Sequence, residues 1–245
     1  MNDAAGAPGP ESLPVKLDAQ ARDALAQVLG LLRSERASVS SVTEPQRAWQ
    51  VHVADSLTGL EVTEFAFATA IADVGSGSGF PGLALAVALP GAQVDLIESV
   101  ARKCDFMRRA AAEAGIANVR VVNERAETWA ASRPPEGGRE SYEIVTARAV
   151  GRLSTLAELA SPLLSEGGVL VAWKGRRNAD EEAELEGAAE RLGMGPEEVL
   201  AVGPYAGSRH RHLHVIRKSG PTPERLPRKP GLAKKRPFGR RRSAG

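Results

Sequence analysis

The stretch Asp73-Val74-Gly75-Ser76-Gly77-Ser78-Gly79-Phe80-Pro81-Gly82 decides how the rest of the chain is read. It closes a short apolar run near 70–74 and leads into a helical pattern near 81–89, so a strand, a glycine-rich turn and a helix follow one another. Glycines at 75, 77 and 79 allow positive φ and let a ligand approach the backbone without meeting a Cβ, while the start of the next helix adds oriented N–H groups. A second apolar run near 94–98 ends in Ile97-Glu98. An acid at the end of that strand can accept hydrogen bonds from both ribose hydroxyls of a nucleoside.

Outward from this loop, short apolar runs alternate with helical stretches, the pattern of a parallel sheet built from strand-helix-strand units. Strands are expected near 70–74, 94–98, 119–122, 142–147, 168–173, 197–202 and 211–217. Helices are expected near 81–89, 101–114, 153–164 and 179–192, with a helical turn from Glu124 to Trp129. The last two strands have no helix between them and are expected to form an antiparallel hairpin, since a parallel crossover needs a longer connection. Ahead of the sheet, Asp18 caps a helix running to Leu32, and Thr43 with Glu44-Pro45 opens a second helical region to Leu60. The expected organisation is a disordered N-terminus (1–16), an N-terminal helical cap (17–69), an α/β nucleotide-binding domain (70–218) and a disordered basic tail (219–245).

The whole chain carries 32 Lys and Arg against 30 Asp and Glu, but residues 208–245 hold 13 of these bases and a single acid. A body of net −10 therefore precedes a tail of +12. Five Pro, four Gly and nine Lys or Arg fill the 27 positions from 219, a composition that points to a flexible cationic arm whose target is phosphate. Such an arm gathers RNA through counterion release and adds little base specificity. A chain ending at Ser219 is then expected to keep normal cofactor binding. The longest apolar run, Leu83 to Leu89, is far short of the roughly 18 residues that span a bilayer. The first seventeen residues lack a secretory pattern, and the lone Cys104 supports neither a disulfide nor a thiolate zinc site. A cytoplasmic protein away from membranes is expected.

Gly77-x-Gly79-x-x-Gly82 also matches the dinucleotide fingerprint, with Glu98 near the expected distance, so an NAD(P)-dependent oxidoreductase is one alternative. S-adenosylmethionine is favoured by the acid-x-Gly-x-Gly-x-Gly run from Asp73, by a second acid, Glu127, past the third strand, and by the lack of a separate substrate domain. An RNA-binding module with a relict donor pocket is the non-enzyme alternative, against which the acidic body argues.

The chain resembles the bacterial small-subunit ribosomal RNA guanine-N7 methyltransferases of the RsmG or GidB type over about residues 18–218. The resemblance is carried by the loop from Asp73 to Gly82, by His52-Val-Ala-Asp55-Ser56-Leu57, by Arg148-Ala149, by Trp173-Lys174-Gly175 and by Arg211-His-Leu-His-Val-Ile-Arg-Lys218. It implies a Rossmann-like class I methyltransferase with a mostly parallel seven-stranded sheet. The donor site it implies falls on Gly75, Phe80, Ala126, Glu127 and Arg148, with Glu98 as the ribose acid, and, from the loop itself, Asp73, Gly77 and Gly79 complete the expected cofactor-binding set. The implied RNA and base contacts are Arg125, Lys174 and Arg211, and the implied partner is 16S ribosomal RNA or the small subunit, met by a monomer. The chain departs from the family at Ser38-Val39-Ser40, where Asn-Leu-Thr is common, and at Val150, where phenylalanine often follows the Arg-Ala pair.

Guanine N7 carries an in-plane lone pair and no proton, so methyl transfer to it needs alignment and desolvation more than a general base. A cation that holds guanine O6 while N7 faces the methyl has a clear purpose, because O6 and N7 are both acceptors. Arg148 is the candidate catalytic residue, with Arg125, Lys174 and Arg211 beside it. Cys104 reads as core. His210, His212 and His214 alternate onto one strand face without a nearby Cys or acid to complete a metal site, so no metal is expected.

Overall fold

The computed structural model describes residues 15–35 and 44–239. Most of the segment expected to be a disordered start lies outside them, as do Ser38-Val39-Ser40, Thr43 and residues 240–245.

Seven strands form one sheet: β1 Ala70–Val74, β2 Gln93–Ile97, β3 Val119–Val122, β4 Tyr142–Arg148, β5 Leu164–Lys174, β6 Met194–Ala201 and β7 His212–Lys218. Their order is β3-β2-β1-β4-β5-β7-β6. The first five run parallel, and β7 inserts antiparallel between β5 and β6, the hairpin expected for a strand pair without a crossover helix. The strand β5 starts at Leu164 rather than near 168, passing Gly167 at φ +82° with a register shift against β4. The sheet reverses its order beside β1, so β1, β2 and β4 leave a crevice at their carboxyl ends, the usual ligand position in such sheets.

Because side chains alternate across a strand, the sheet has two apolar faces. Ile71, Leu96, Ile144 and Val171 pack toward the helices α1 (Ala19–Ser34), α4 (Gly82–Ala88) and α5 (Ala101–Glu113). Ala72, Ile97, Val145 and Leu170 pack toward α7 (Leu153–Ala160) and α8 (Ala179–Ala189). Helix α1 buries Leu25, Val28, Leu29 and Leu32, and its cap is the expected one, with Asp18 Oδ1 accepting from the Ala21 N–H at 2.8 Å. Cys104 is buried in the first core, as expected.

The second N-terminal region is not one regular helix. Glu44 caps α2 (Pro45–Ala48) by accepting from the N–H groups of Gln46 and Arg47, a π-helical segment covers Trp49–Ala54, and α3 (Asp55–Leu57) and two 3-10 turns follow. The sequence periodicity gives no sign of the widened π turn, which recurs at functional sites elsewhere. Here it carries His52 and leads directly into Asp55.

The tail is the clear correction. Through residue 239 it is folded against the body, with Leu226, Ala233 and Phe238 buried and a short helix α9 (Leu232–Lys235) over α7. The composition of 219–245 is poor in apolar residues, but buried partners on the body supply the rest: Arg228 donates to both oxygens of Glu158, which is 3% exposed. The guanidinium groups of Arg191, Arg225 and Arg228 lie over the Phe238 ring. The basic residues counted as an unfolded arm are in part the groups that fasten it.

Candidate active site

Two cavities lie at the carboxyl ends of the parallel strands. The first, about 370 Å³, is lined by Val74 and Gly75 after β1, Ile97, Glu98 and Ser99 after β2, and Glu124 to Glu127 at the start of α6 (Ala126–Trp129). The second, about 240 Å³, is lined by Asp55, Arg148, Ala149, Gly151, Trp173, Lys174, Gly175 and Arg211. The chain leaving β4 divides them, since Arg148, Ala149 and Gly151 face the second cavity while Val150 faces the first. Ala149 holds φ +60° at this divide, a left-handed conformation that costs a residue with a Cβ about 1 kcal/mol or more and persists where the surroundings enforce it.

The first cavity joins the backbone of the glycine loop to charged side chains from the ends of β2 and β3. Glu98 accepts from the Gly77 N–H at 3.1 Å and from the Val100 N–H at 2.9 Å, which ties the acid to the glycine loop. Gly77 has φ +60°, and a Cβ there would meet nothing nearer than the Gly75 carbonyl at 3.8 Å, so its backbone faces open space. Gly82 differs: a Cβ there would lie 2.2 Å from Leu96 Cδ2, so this glycine lets α4 pack on the sheet. Asp73 is buried under the loop, where it accepts from the Gly82 N–H at 3.2 Å and the Thr146 hydroxyl at 2.8 Å. Burial pushes its carboxyl up to about 6, against the pull of these bonds and of the Arg148 charge.

Of the expected donor residues, the structure therefore puts Gly75, Glu98, Ala126 and Glu127 on the first cavity. Asp73, Gly79 and Phe80 are buried in the loop's support. Phe80 packs its ring on His52 at 5.2 Å between centroids. Burial, and secondarily Arg148, lowers the His52 imidazole to about 4, so it is neutral near pH 7. Arg148, expected at the donor, lines the second cavity instead.

The expected RNA set also divides. Lys174 and Arg211 join Arg148 in the second cavity, whereas Arg125 lines the first. Asp55 organises the second cavity, whereas the sequence presents it only within the matching segment from His52 to Leu57. Its Oδ2 accepts from Arg148 Nη1 at 2.9 Å, its Oδ1 lies 3.8 Å from Arg211 Nε, and its carbonyl accepts from Trp173 Nε1 at 2.8 Å. Arg148 also donates to the Val51 carbonyl at 3.1 Å, and Lys174 donates to the Gly151 carbonyl at 3.1 Å while pairing with Glu181 at 2.7 Å. The signal available in the sequence was an acid within the segment from His52 to Leu57, which carries no Lys or Arg to pair with it.

His214 is buried and pairs with Glu197 across the β6–β7 ladder, His212 Nδ1 lies 2.8 Å from the Gly175 carbonyl, and His210 sits outside β7 at φ +54°. The expected alternation thus holds for two of the three, and an acid does stand beside one of them.

Residues 23–213 match the family described as rRNA small subunit methyltransferase G. The chain belongs to this family. It is 37% identical over 207 residues to a ribosomal RNA small subunit methyltransferase G of Pelotomaculum thermopropionicum, an alignment covering 84% of this chain and 85% of that one. It is 35% identical to the protein of the same name from Bacillus cytotoxicus, covering 84% of each. Among solved structures, a predicted O-methyltransferase from Agrobacterium tumefaciens matches with a TM-score of 0.52 at 25% identity, over 68% of this chain and 79% of that one. A SAM-dependent O-methyltransferase from Thermotoga maritima shares the fold, with a TM-score of 0.52 at 14% identity over 80% and 73%. The fold is that of class I methyltransferases and the chain is an S-adenosylmethionine-dependent methyltransferase; the nicotinamide alternative is not favoured. No helix among the described residues is long and apolar enough to cross a membrane.

Proposed function

We propose that this enzyme transfers the methyl group of S-adenosylmethionine to N7 of one guanine in 16S ribosomal RNA, acting as a cytoplasmic, metal-independent monomer on the RNA or the small subunit. The observation that supports it most is the pair of cavities divided by residues 148–151, the first holding Glu98 and Glu127 and the second Arg148, Lys174 and Arg211. In the first, Glu98 and Glu127 offer carboxylates to a nucleoside's hydroxyl and amine groups, and the open backbone at Gly77 admits its body without a Cβ in the way. S-adenosylmethionine, when bound, supplies an electrophilic methyl group. In the second, Arg148, Lys174 and Arg211 present N–H donors to a base that carries acceptors on one edge, or to its phosphates.

No group in the second cavity is set up to remove a proton. Both Asp55 oxygens face guanidinium groups, and the His52 ring, lowered to about 4, rests on Phe80 behind the loop. Guanine N7 needs no base, because its lone pair attacks without loss of a proton. Alignment by Arg148 and exclusion of water by the two cavity walls are then the chain's contribution. The names of the curated relatives support the small-subunit RNA as substrate.

Mass mapping of 16S ribosomal RNA from cells lacking the gene tests the proposal. Loss of a single methyl group, restored by the wild-type gene and located on a guanine that loses its N7 charge, is the expected result. An unchanged RNA methylation map overturns it.

A further inference from the structure

The family match ends at residue 213, yet the chain beyond it reaches the donor cavity. Gly231, Ala233, Lys234 and Lys235 line that cavity together with Glu98 and Glu127. The Gly231 N–H donates to Glu127 Oε1 at 2.7 Å, and the Thr155 hydroxyl donates to the Ala233 carbonyl at 3.4 Å. This short stretch is fastened on both sides. Before it, Arg139 donates to the Leu226 carbonyl at 2.9 Å and Arg228 donates to both oxygens of the buried Glu158. After it, the Phe238 ring sits 4.2 Å from the Arg228 guanidinium and is buried.

We propose that residues 231–235 form a wall of the methyl-donor site and hold Glu127 for the donor's nucleoside end, which rests on the assignment of this cavity to the donor. With the strap in place the cavity still measures about 370 Å³, within the roughly 300–1,000 Å³ of ligand pockets, so the strap encloses a ligand rather than filling its place. The Gly231 N–H fixes one oxygen of the Glu127 carboxylate. The other oxygen has no hydrogen-bond partner among the described residues and is left to accept from an amine of the bound base. Two lysines beside Glu98, Glu124 and Glu127 offset the acidic field of the cavity. Releasing Arg228 would leave the Glu158 charge buried and unpaired, which keeps the strap closed and the wall preorganised, the condition under which a wall adds affinity. Arg228, Phe238 and Gly231 are positioning residues, acting through the strap.

The test uses the full chain without RNA. S-adenosylmethionine and methylthioadenosine, which lacks the amino-acid end, are titrated calorimetrically into the wild type and into an Arg228→Ala/Phe238→Ala variant. Both compounds are expected to bind the variant at least about fivefold more weakly. Hydrogen exchange on the wild type, which needs no variant to fold, is expected to show the amides of 231–236 slowed by either compound. Unchanged or tighter binding in a folded variant, or strap amides unaffected by the compounds, overturns the wall. A loss for the donor without a loss for methylthioadenosine overturns the nucleoside-end assignment. A wild type that binds neither compound overturns the donor cavity and the strap together, which separates that failure from failure of the strap alone.

Discussion

The two cavities at the sheet's edge are neighbours built on different principles. The first cavity, proposed for the donor, mixes loop backbone after β1 with carboxylates after β2 and β3 and with three cations, Arg125, Lys234 and Lys235, and a peptide N–H binds each of Glu98 and Glu127. The second cavity is made of long cationic side chains from β4, β5 and the start of β7, held by Asp55 and Glu181. A loop of backbone has its shape encoded locally by glycines, so its geometry survives in a short motif. A cluster of Arg and Lys needs buried anions from elsewhere in the chain to hold it still, since such side chains are otherwise flexible. The contrast teaches that the cavity proposed for a nucleoside balances its carboxylates with cations, whereas the cavity proposed for a phosphate-bearing polymer, a few residues away, is dominated by cations.

The comparison breaks most readily at Arg148. Arg148→Ala is expected to lower the single-turnover methylation rate by about 10²–10³, the range for removing one preorganised donor from a reacting centre, with donor affinity within about twofold of wild type. The substitution also removes the shorter of Asp55's two guanidinium contacts and leaves only Arg211 at 3.8 Å, so an Asp55→Asn/Arg148→Ala double variant is the control. Recovery of thermal stability without recovery of rate is expected there, and full recovery of rate would make Arg148 merely a tether for Asp55.

Two buried groups against the glycine loop, Asp73 beneath it and His52 on Phe80, titrate in opposite senses. Asp73 beneath the donor loop is raised to about 6, so its folded state takes up a proton before the unfolded chain does. Its contribution to stability is therefore present at low pH and lost as pH rises through about 6. His52, lowered to about 4, protonates first in the unfolded chain, so its contribution is present above about 6.5 and lost as pH falls toward 4. The two offset each other between these limits. Asp73→Asn is expected to lose about 2–3 kcal/mol more stability than wild type on going from pH 7 to pH 4, from a shift of about two pKa units. Urea denaturation at the two pH values measures it, and parallel loss in both proteins would show that Asp73 does not titrate near 6.

A smaller effect is expected from Glu98→Ala, which removes an acceptor worth roughly 1.5–3 kcal/mol when charge-assisted. Donor affinity is expected to fall by about tenfold or more in calorimetry, while RNA affinity stays the same. Equal loss on both axes would blur the division between the cavities. The smallest is Lys174→Ala. Lys174 already serves Glu181 and the Gly151 carbonyl, so a loss of a few-fold in RNA affinity is expected, with a salt slope shallower by about 0.7–0.9 per phosphate contact removed. Filter binding across a salt series reads both quantities.

Residue patterns alone determined the sheet, the glycine loop and the position of Glu98 at the end of β2. Each depends on neighbours within about one strand or one turn, as with Ile71 to Val74 or the run from Gly75 to Gly79. The family resemblance named Arg125, Lys174 and Arg211 as one set with Arg148 beside them, and only the structure groups Arg148, Lys174 and Arg211 on one cavity and leaves Arg125 on the other. The tertiary structure alone decided what those cations touch. Asp55 meets Arg148 across 93 positions and the Gly231 N–H meets Glu127 across 104, distances over which composition and periodicity carry no pairing information. The tail shows the same reason most plainly: counted by itself, 219–239 lacks the apolar surface to fold, and partners on the body, among them the buried Glu158, Arg139, Glu127 and the ring-covering Arg191, make its order favourable.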